Sequence, residues 1–139
     1  MQALREFPQT LIEYSRNELR DFLHTVSGVD FVMLSSSDGF ELASASKKVM
    51  QNQGKISAVS SSIMAMVSAF ITEIKLEGCQ AITLDAENGK VFLSIVGHAE
   101  YPMVLMAVAN KDTLIGQMRY HLQKLSSDLA SINYCKSLA

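Results

Sequence analysis

The chain has 139 residues, of which 48% are hydrophobic and 19% charged, with a formal net charge of −2. That length suits one compact domain able to bury about two thirds of its unfolded surface, and the composition excludes a disordered chain. The near-neutral charge leaves no electrostatic footprint for nucleic acid or an anionic membrane, since no basic cluster exceeds the pair Lys47-Lys48.

The opening MQALREFPQT has no apolar core of signal-peptide length, so export is not expected. Thr10-Leu11-Ile12-Glu13 reads as a capping box, in which the threonine accepts a backbone N–H and the glutamate reaches back. Leu11, Ile12, Leu19, Phe22, Leu23 and Val26 then form one amphipathic stripe, which Gly28 ends. Val29 to Ser35 is apolar on both faces except at Asp30, as in a central strand. The stretch SSSDGFELAS, Ser35 to Ser44, follows. Three hydroxyls beside an acid and a glycine suit a nucleophile, a phosphate cradle, a metal site or a plain bend. Phe40 and Leu42 alternate with Glu41 through Ala45, the pattern of a half-exposed strand.

A polar loop from Ser46 to Gln53 leads to a long helical segment from about Gly54 to Leu76. After Gly78, Gln80, Ile82 and Leu84 alternate with Cys79, Ala81 and Thr83 in a third strand. Asn88-Gly89 predicts a type I′ turn into a fourth strand, Lys90 to Val96. Pro102 opens an apolar fifth strand, Met103 to Ala109, expected at the centre of the sheet. Asp112 is positioned to cap a last helix with the stripe Leu114, Ile115, Met118, Leu122, Leu125 and Leu129. The order α-β-β-α-β-β-β-α, with two hairpin signals, predicts an α+β sandwich on one five-stranded, mostly antiparallel sheet. A single domain over 1–139 is expected, with its core at about 10–129, an N-terminal arm over 1–9 and a C-terminal tail over 130–139.

The middle helix is the most informative element. At roughly 100° per residue, Ile56, Val59, Ile63, Met66, Val67, Phe70, Ile71 and Ile74 share one face, expected against the sheet. Ala58, Ser61, Ser62, Ala65, Ser68, Ala69 and Thr72 lie opposite, and no charge falls between Lys55 and Glu73. Surface helices normally place lysine and glutamate opposite the core stripe. Three readings fit: an exposed Ser/Ala surface, a membrane span, or a helix packed on both sides. The serines and short length oppose a span, which needs about twenty mainly apolar residues. The favoured reading puts a second protein or a second copy on the small face.

Chemistry-bearing motifs are lacking. There is no G-x-x-x-x-G-K-[ST] or G-x-G-x-x-G, and His24, His98 and His121 fall on different elements. Cys79 and Cys135 form no C-x-x-C pair; with eight methionines they suit a reducing, cytoplasmic setting. Ser37-Asp38-Gly39 lacks the second glycine and following helix of a nucleophile elbow. No catalytic, metal or cofactor residues are assigned.

The hairpin Val32-Met33-Leu34-Ser35-Ser36-Ser37-Asp38-Gly39-Phe40-Glu41-Leu42-Ala43-Ser44 resembles the opening motif of the Roadblock/dynein light chain family. The Ala/Ser-rich helix, the glycine-started hairpin, the apolar strand and a closing helix near Leu114-Ile115-Gly116 follow in that family's order, over about residues 10–129. The family includes bacterial regulators of Ras-like GTPases. The resemblance implies a profilin- or longin-like fold and a homodimer in which middle helices pack together and third strands pair. Carried onto this chain, the dimer interface would use Ser61, Ala65, Ser68, Ala69, Thr72, Gln80 and Thr83. A small GTPase would meet Met64, Glu73 and Lys75. The implied function is a non-enzymatic homodimeric regulator or scaffold of a Ras-like small GTPase, with no cofactor, nucleic acid or membrane insertion. The rival readings are a small-molecule sensor and a serine hydrolase built on Ser37 and His98.

Overall fold

The computed structural model describes residues 7–132. Its elements are α1 (Gln9–Thr25), β1 (Val29–Ser36), β2 (Glu41–Ser46), α2 (Gln53–Glu73), β3 (Ala81–Ala86), β4 (Gly89–Val96), β5 (Met103–Asn110) and α3 (Ile115–Ser131). The order matches the one expected from hydrophobic periodicity. The strands form one sheet in the order β2-β1-β5-β4-β3, with every neighbouring pair antiparallel. β1 and β5 are central, which explains why both are apolar on two faces.

Alternation along the strands feeds two separate cores. The larger packs Leu11, Leu19, Phe22 and Leu23 of α1 and Met118, Leu122, Leu125 and Leu129 of α3 against Val32, Leu34, Phe92, Leu105 and Ala107. The smaller, on the other face, joins Met64 of α2 to Phe31, Met33, Leu93, Val104 and Met106. Two helices therefore cover one face of the sheet and a single helix the other.

Three local expectations are corrected. The capping box at Thr10 does not form the start of α1: Pro8 is the N-cap, and its carbonyl accepts the N–H of Leu11 at 3.1 Å. Proline's fixed φ sets this entry, and Thr10 falls inside the first turn. Asp112 does not cap α3, whose N-cap is Leu114; instead Asn110 Oδ1 accepts the Asp112 N–H at 3.0 Å and the Thr113 hydroxyl at 3.2 Å. The asparagine shapes the turn because its side-chain oxygen mimics a backbone acceptor.

The β3–β4 turn is one residue earlier than Asn88-Gly89 predicts. Ala86 pairs with Gly89, leaving Glu87-Asn88 as the loop, and neither Asn88 nor Gly89 has positive φ. Gly89 serves close packing: a Cβ there would stand 3.1 Å from the Ala109 carbonyl oxygen.

The β4–β5 connection gathers both ends of the described chain. Phe7 stacks on Tyr101 with ring centroids 5.3 Å apart, and His98 Nε2 lies 2.6 Å from the Ile132 carbonyl oxygen after α3.

Candidate interaction surface

The Ser-Asp-Gly hairpin and α2 are built onto each other. Gly39 has φ +99°, a conformation glycine adopts without steric penalty, and its N–H donates to the Ser36 carbonyl at 3.0 Å. The Ser36 hydroxyl accepts the Phe40 N–H at 3.1 Å, closing the bend. A Cβ on Gly39 would approach the Ala58 Cα to 3.1 Å, so the helix sits directly on the turn. Two helix serines complete the join: Ser57 donates to the Gly39 carbonyl and Ser61 to the Ser36 carbonyl, each at 2.9 Å. With its nitrogen turned toward β2, the Gln53 amide donates to Glu41 Oε2 at 3.0 Å. The serines of SSSDGFELAS thus belong to a turn and its docking, and the hydroxyls that hold the helix there come from α2.

This docking rotates α2 away from the orientation its hydrophobicity suggests. Its buried residues are Ser57, Ser60, Ser61 and Met64. Ile56, Ile63, Val67 and Ile71 are half-buried along one flank. Val59, Met66, Phe70 and Ile74, expected against the sheet, are 47%, 66%, 60% and 47% exposed. The physical reason is close approach: small serines let the helix backbone come down on the hairpin carbonyls, and that contact fixes which side faces inward.

The residues singled out from sequence therefore divide. Ser61 and Met64 are 6% and 3% exposed and point into the protomer, so neither presents a side chain to a dimer mate or a GTPase. Ala65, Ala69 and Thr72 are exposed and Ser68 is half-buried, with Thr72 donating to the Ser68 carbonyl at 3.1 Å. Glu73 and Lys75 are exposed at the end of α2. Lys75 has φ +68°; its N–H donates to the Thr72 carbonyl and that of Leu76 to Ile71. This is the Schellman arrangement, with lysine where glycine is favoured. Gln80 is exposed just before β3, and Thr83 is half-buried on β3. Sequence reasoning missed the outward large apolar residues; their signal was the same stripe, assigned to the wrong surface.

The sheet under α2 is covered unevenly. Phe31, Val108, Val91 and Leu84 lie in one cross-strand row, and Met33, Met106, Leu93 and Ile82 in the next. A groove of about 480 Å³ runs along the first row beside α2; Ile56, Val59, Ile63, Leu84, Val91 and Val108 line it, with Lys55 its one charged residue. A second trough of about 580 Å³ lies at the start of β3, between Ser68 and Thr72 of α2 and Arg119 and Gln123 of α3. α2 is long and apolar enough to cross a membrane by length and composition, and here it lies across the sheet.

Among the described residues, Ser37 and His98 are not joined. His98 Nδ1 accepts the N–H groups of Glu100 and Tyr101, both at 3.1 Å, so Nε2 carries the proton directed at the Ile132 carbonyl. Both ring nitrogens are engaged by main chain, and no hydrogen bond joins His98 to Ser37, which is exposed on the hairpin. Among the described residues no three His, Cys, Asp or Glu side chains gather as a metal site. Cys135 lies outside the described residues.

MglB from Myxococcus xanthus has a similar structure, with a TM-score of 0.81 at 16% identity over 96% of this chain and 95% of that one. The gliding protein MglB of Thermus thermophilus superposes with a TM-score of 0.77 at 16% identity, covering 89% of this chain and 91% of that one. Profilin IA of Acanthamoeba castellanii is more distant, with a TM-score of 0.51 at 16% identity over 83% and 95% of the two chains. No curated protein sequence matches the chain. The Roadblock/LC7 domain profile matches residues 16–109, from within α1 to the penultimate residue of β5, and the chain belongs to the Roadblock/LC7 family.

Proposed function

We propose that this protein is a non-enzymatic, homodimeric regulator or scaffold of a Ras-like small GTPase. The observation that carries the reading is the outer face of α2, free of charge from Ile56 to Thr72 and partly apolar, on a Roadblock/LC7 fold. Such a face is costly to leave in water and suits protein contact. The family's domains are regulatory and non-enzymatic, and solved neighbours of this fold include MglB proteins. Self-association would join α2 to its copy and pair the outer edge of β3, which removes an exposed strand edge. Ala65, Ala69, Ser68, Thr72, Gln80 and Thr83 remain candidates for that contact. Glu73 and Lys75 remain candidates for the GTPase.

Arg16 and Arg20 lie on α1 and Arg119 on α3, in the layer opposite α2, while Arg5 falls outside the described residues. The proposed action therefore works through tethering and positioning of GTPase elements, with no arginine supplied from the α2 face. The test is affinity capture of a protein carrying G-x-x-x-x-G-K-[ST], followed by its GTP hydrolysis and nucleotide exchange with and without this chain. Capture with a changed rate is expected. Failure to bind any such GTPase, with the dimer intact, would remove the GTPase from the proposal.

A further inference from the structure

We propose that the apolar groove beside α2 binds a free medium-chain fatty acid, with the acyl chain along the sheet and the carboxylate at Lys55. Neither the homodimer nor the GTPase is needed for it. Small serines bring α2 down onto the hairpin, and Met64 packs on the second cross-strand row. The first row, Phe31, Val108, Val91 and Leu84, is left as the floor of a slot of about 480 Å³. Small-molecule sites run from roughly 300 to 1,000 Å³, so the slot is of ligand size. The row crosses β1, β5, β4 and β3, about 14 Å at ordinary strand spacing, and an extended chain of about twelve carbons matches that length.

The few polar groups of the slot suit an anion. Asn52 and Lys55 border it where α2 begins. Asn52 is the N-cap, with φ +60° and no side-chain cap, and no acidic residue stands in the first turn. The positive end of the helix dipole and the Lys55 ammonium therefore add, and Lys55 makes no ion pair among the described residues. Ser60, one turn beyond Ile56, also lines the groove. It is only 5% exposed, and its hydroxyl has no hydrogen-bond partner among the described residues. A buried hydroxyl without a partner is costly, and a ligand oxygen would supply one. A carboxylate can thus take an ammonium and a hydroxyl from successive turns of α2, with its unbranched tail on the apolar row. A peptide would instead bring backbone N–H and C=O groups into a slot without partners for them. A neutral hydrocarbon would leave Lys55 and Ser60 unanswered, and a two-chain lipid exceeds a floor one row wide.

The experiment titrates the full chain with sodium dodecanoate by calorimetry, below micelle formation, with sedimentation run alongside. One saturable site per chain is expected, with affinity rising about threefold per methylene from octanoate to dodecanoate. Lys55→Gln should weaken dodecanoate roughly tenfold and leave dodecanol unchanged, because only the ionic contact is lost. Ser60→Ala should weaken dodecanoate about threefold. Methyl NMR shifts on adding dodecanoate should fall on Ile56, Ile63, Val91 and Leu84. Binding that does not saturate, or that is equal in Lys55→Gln and wild type, overturns the site. So do shifts confined to the trough at the start of β3. Capture on anionic phospholipid vesicles without dodecanoate binding would make the surface a membrane contact and overturn the free-ligand site. Dodecanoate excluded as the chain self-associates would make the groove a protein contact, which also overturns it. None of these outcomes reads GTPase capture, so the two proposals fail separately.

Discussion

The two faces of the sheet are finished to different degrees. On the α1/α3 face, twenty buried residues from two helices and all but one of the strands close a continuous core. On the α2 face the cluster has six buried residues, and four large apolar side chains of the helix stand about half or more exposed. The first face carries most of the buried apolar core. The second leaves large apolar side chains of its helix in water.

Substitutions of like size on the two faces should break this comparison most visibly. Phe92→Ala empties a position only 1% exposed and should cost about 3–5 kcal/mol of unfolding free energy in urea titration. Phe70→Ala, 60% exposed, should change monomer stability by no more than about 0.5 kcal/mol. Equal losses at both positions would mean that the faces are not energetically distinct.

A smaller effect tests what sets the orientation of α2. Ser61→Ala removes one of the two hydrogen bonds to the Ser36 carbonyl and leaves it the Gly39 N–H alone. The expected loss is about 1–2 kcal/mol, with amide exchange quickening in both the hairpin and the helix. A neutral result would assign the helix orientation to Ser57, the Gly39–Ala58 contact and Met64.

The smallest effect probes the closed face, where burial is complete but charge is not well arranged. Glu18 of α1 has its carboxyl pushed up, first by desolvation and then by repulsion from Asp128 of α3 and Asp21. A raised folded-state value means that the native state holds the proton more tightly than the unfolded chain. That contribution is present at pH below the usual glutamate range and is lost as pH rises through the raised folded value. Urea midpoints should therefore fall slightly across this window in the wild type, and Glu18→Gln should flatten that segment of the profile. The same slope in both proteins would place its origin elsewhere.

Most of the architecture was legible because strand and helix periods report faithfully which residues avoid water. β1 and β5 read as central from continuous apolar runs, and Met118, Leu122, Leu125 and Leu129 of the α3 stripe are buried as expected, whereas Leu114 and Ile115, also placed in that stripe, are 63% and 41% exposed at the helix start. The same signal misled at α2, whose apolar stripe is broad and includes Val59, Met66 and Phe70, which turn away from the sheet. Hydrophobicity does not distinguish residues meant for the protomer's own sheet from residues meant for another surface. Serine hydropathy concealed the inner face further, since Ser57 and Ser61 are buried through hydrogen bonds to a hairpin 18 and 25 positions away. Such pairings depend on how the hairpin and the helix meet in space. Turn details failed for a related reason: the strand register around Gly89 was decided by packing against β5, and the Asn-Gly pair yielded to it.

The loop between β4 and β5 has a consequence for chain connectivity. Phe7 rests on Tyr101 and the Ile132 carbonyl is held by His98, so the described chain leaves and returns at one place. Between Phe7 and Ile132 the described chain is close to a ring opened at that loop. Positions that adjoin in this way could be joined by a short linker in a circular permutant of residues 7–132. The polar segment between β2 and α2 offers an alternative opening, from which the chain would begin with α2 and finish with β2. The order in which the elements leave the ribosome is then separable from the architecture they build.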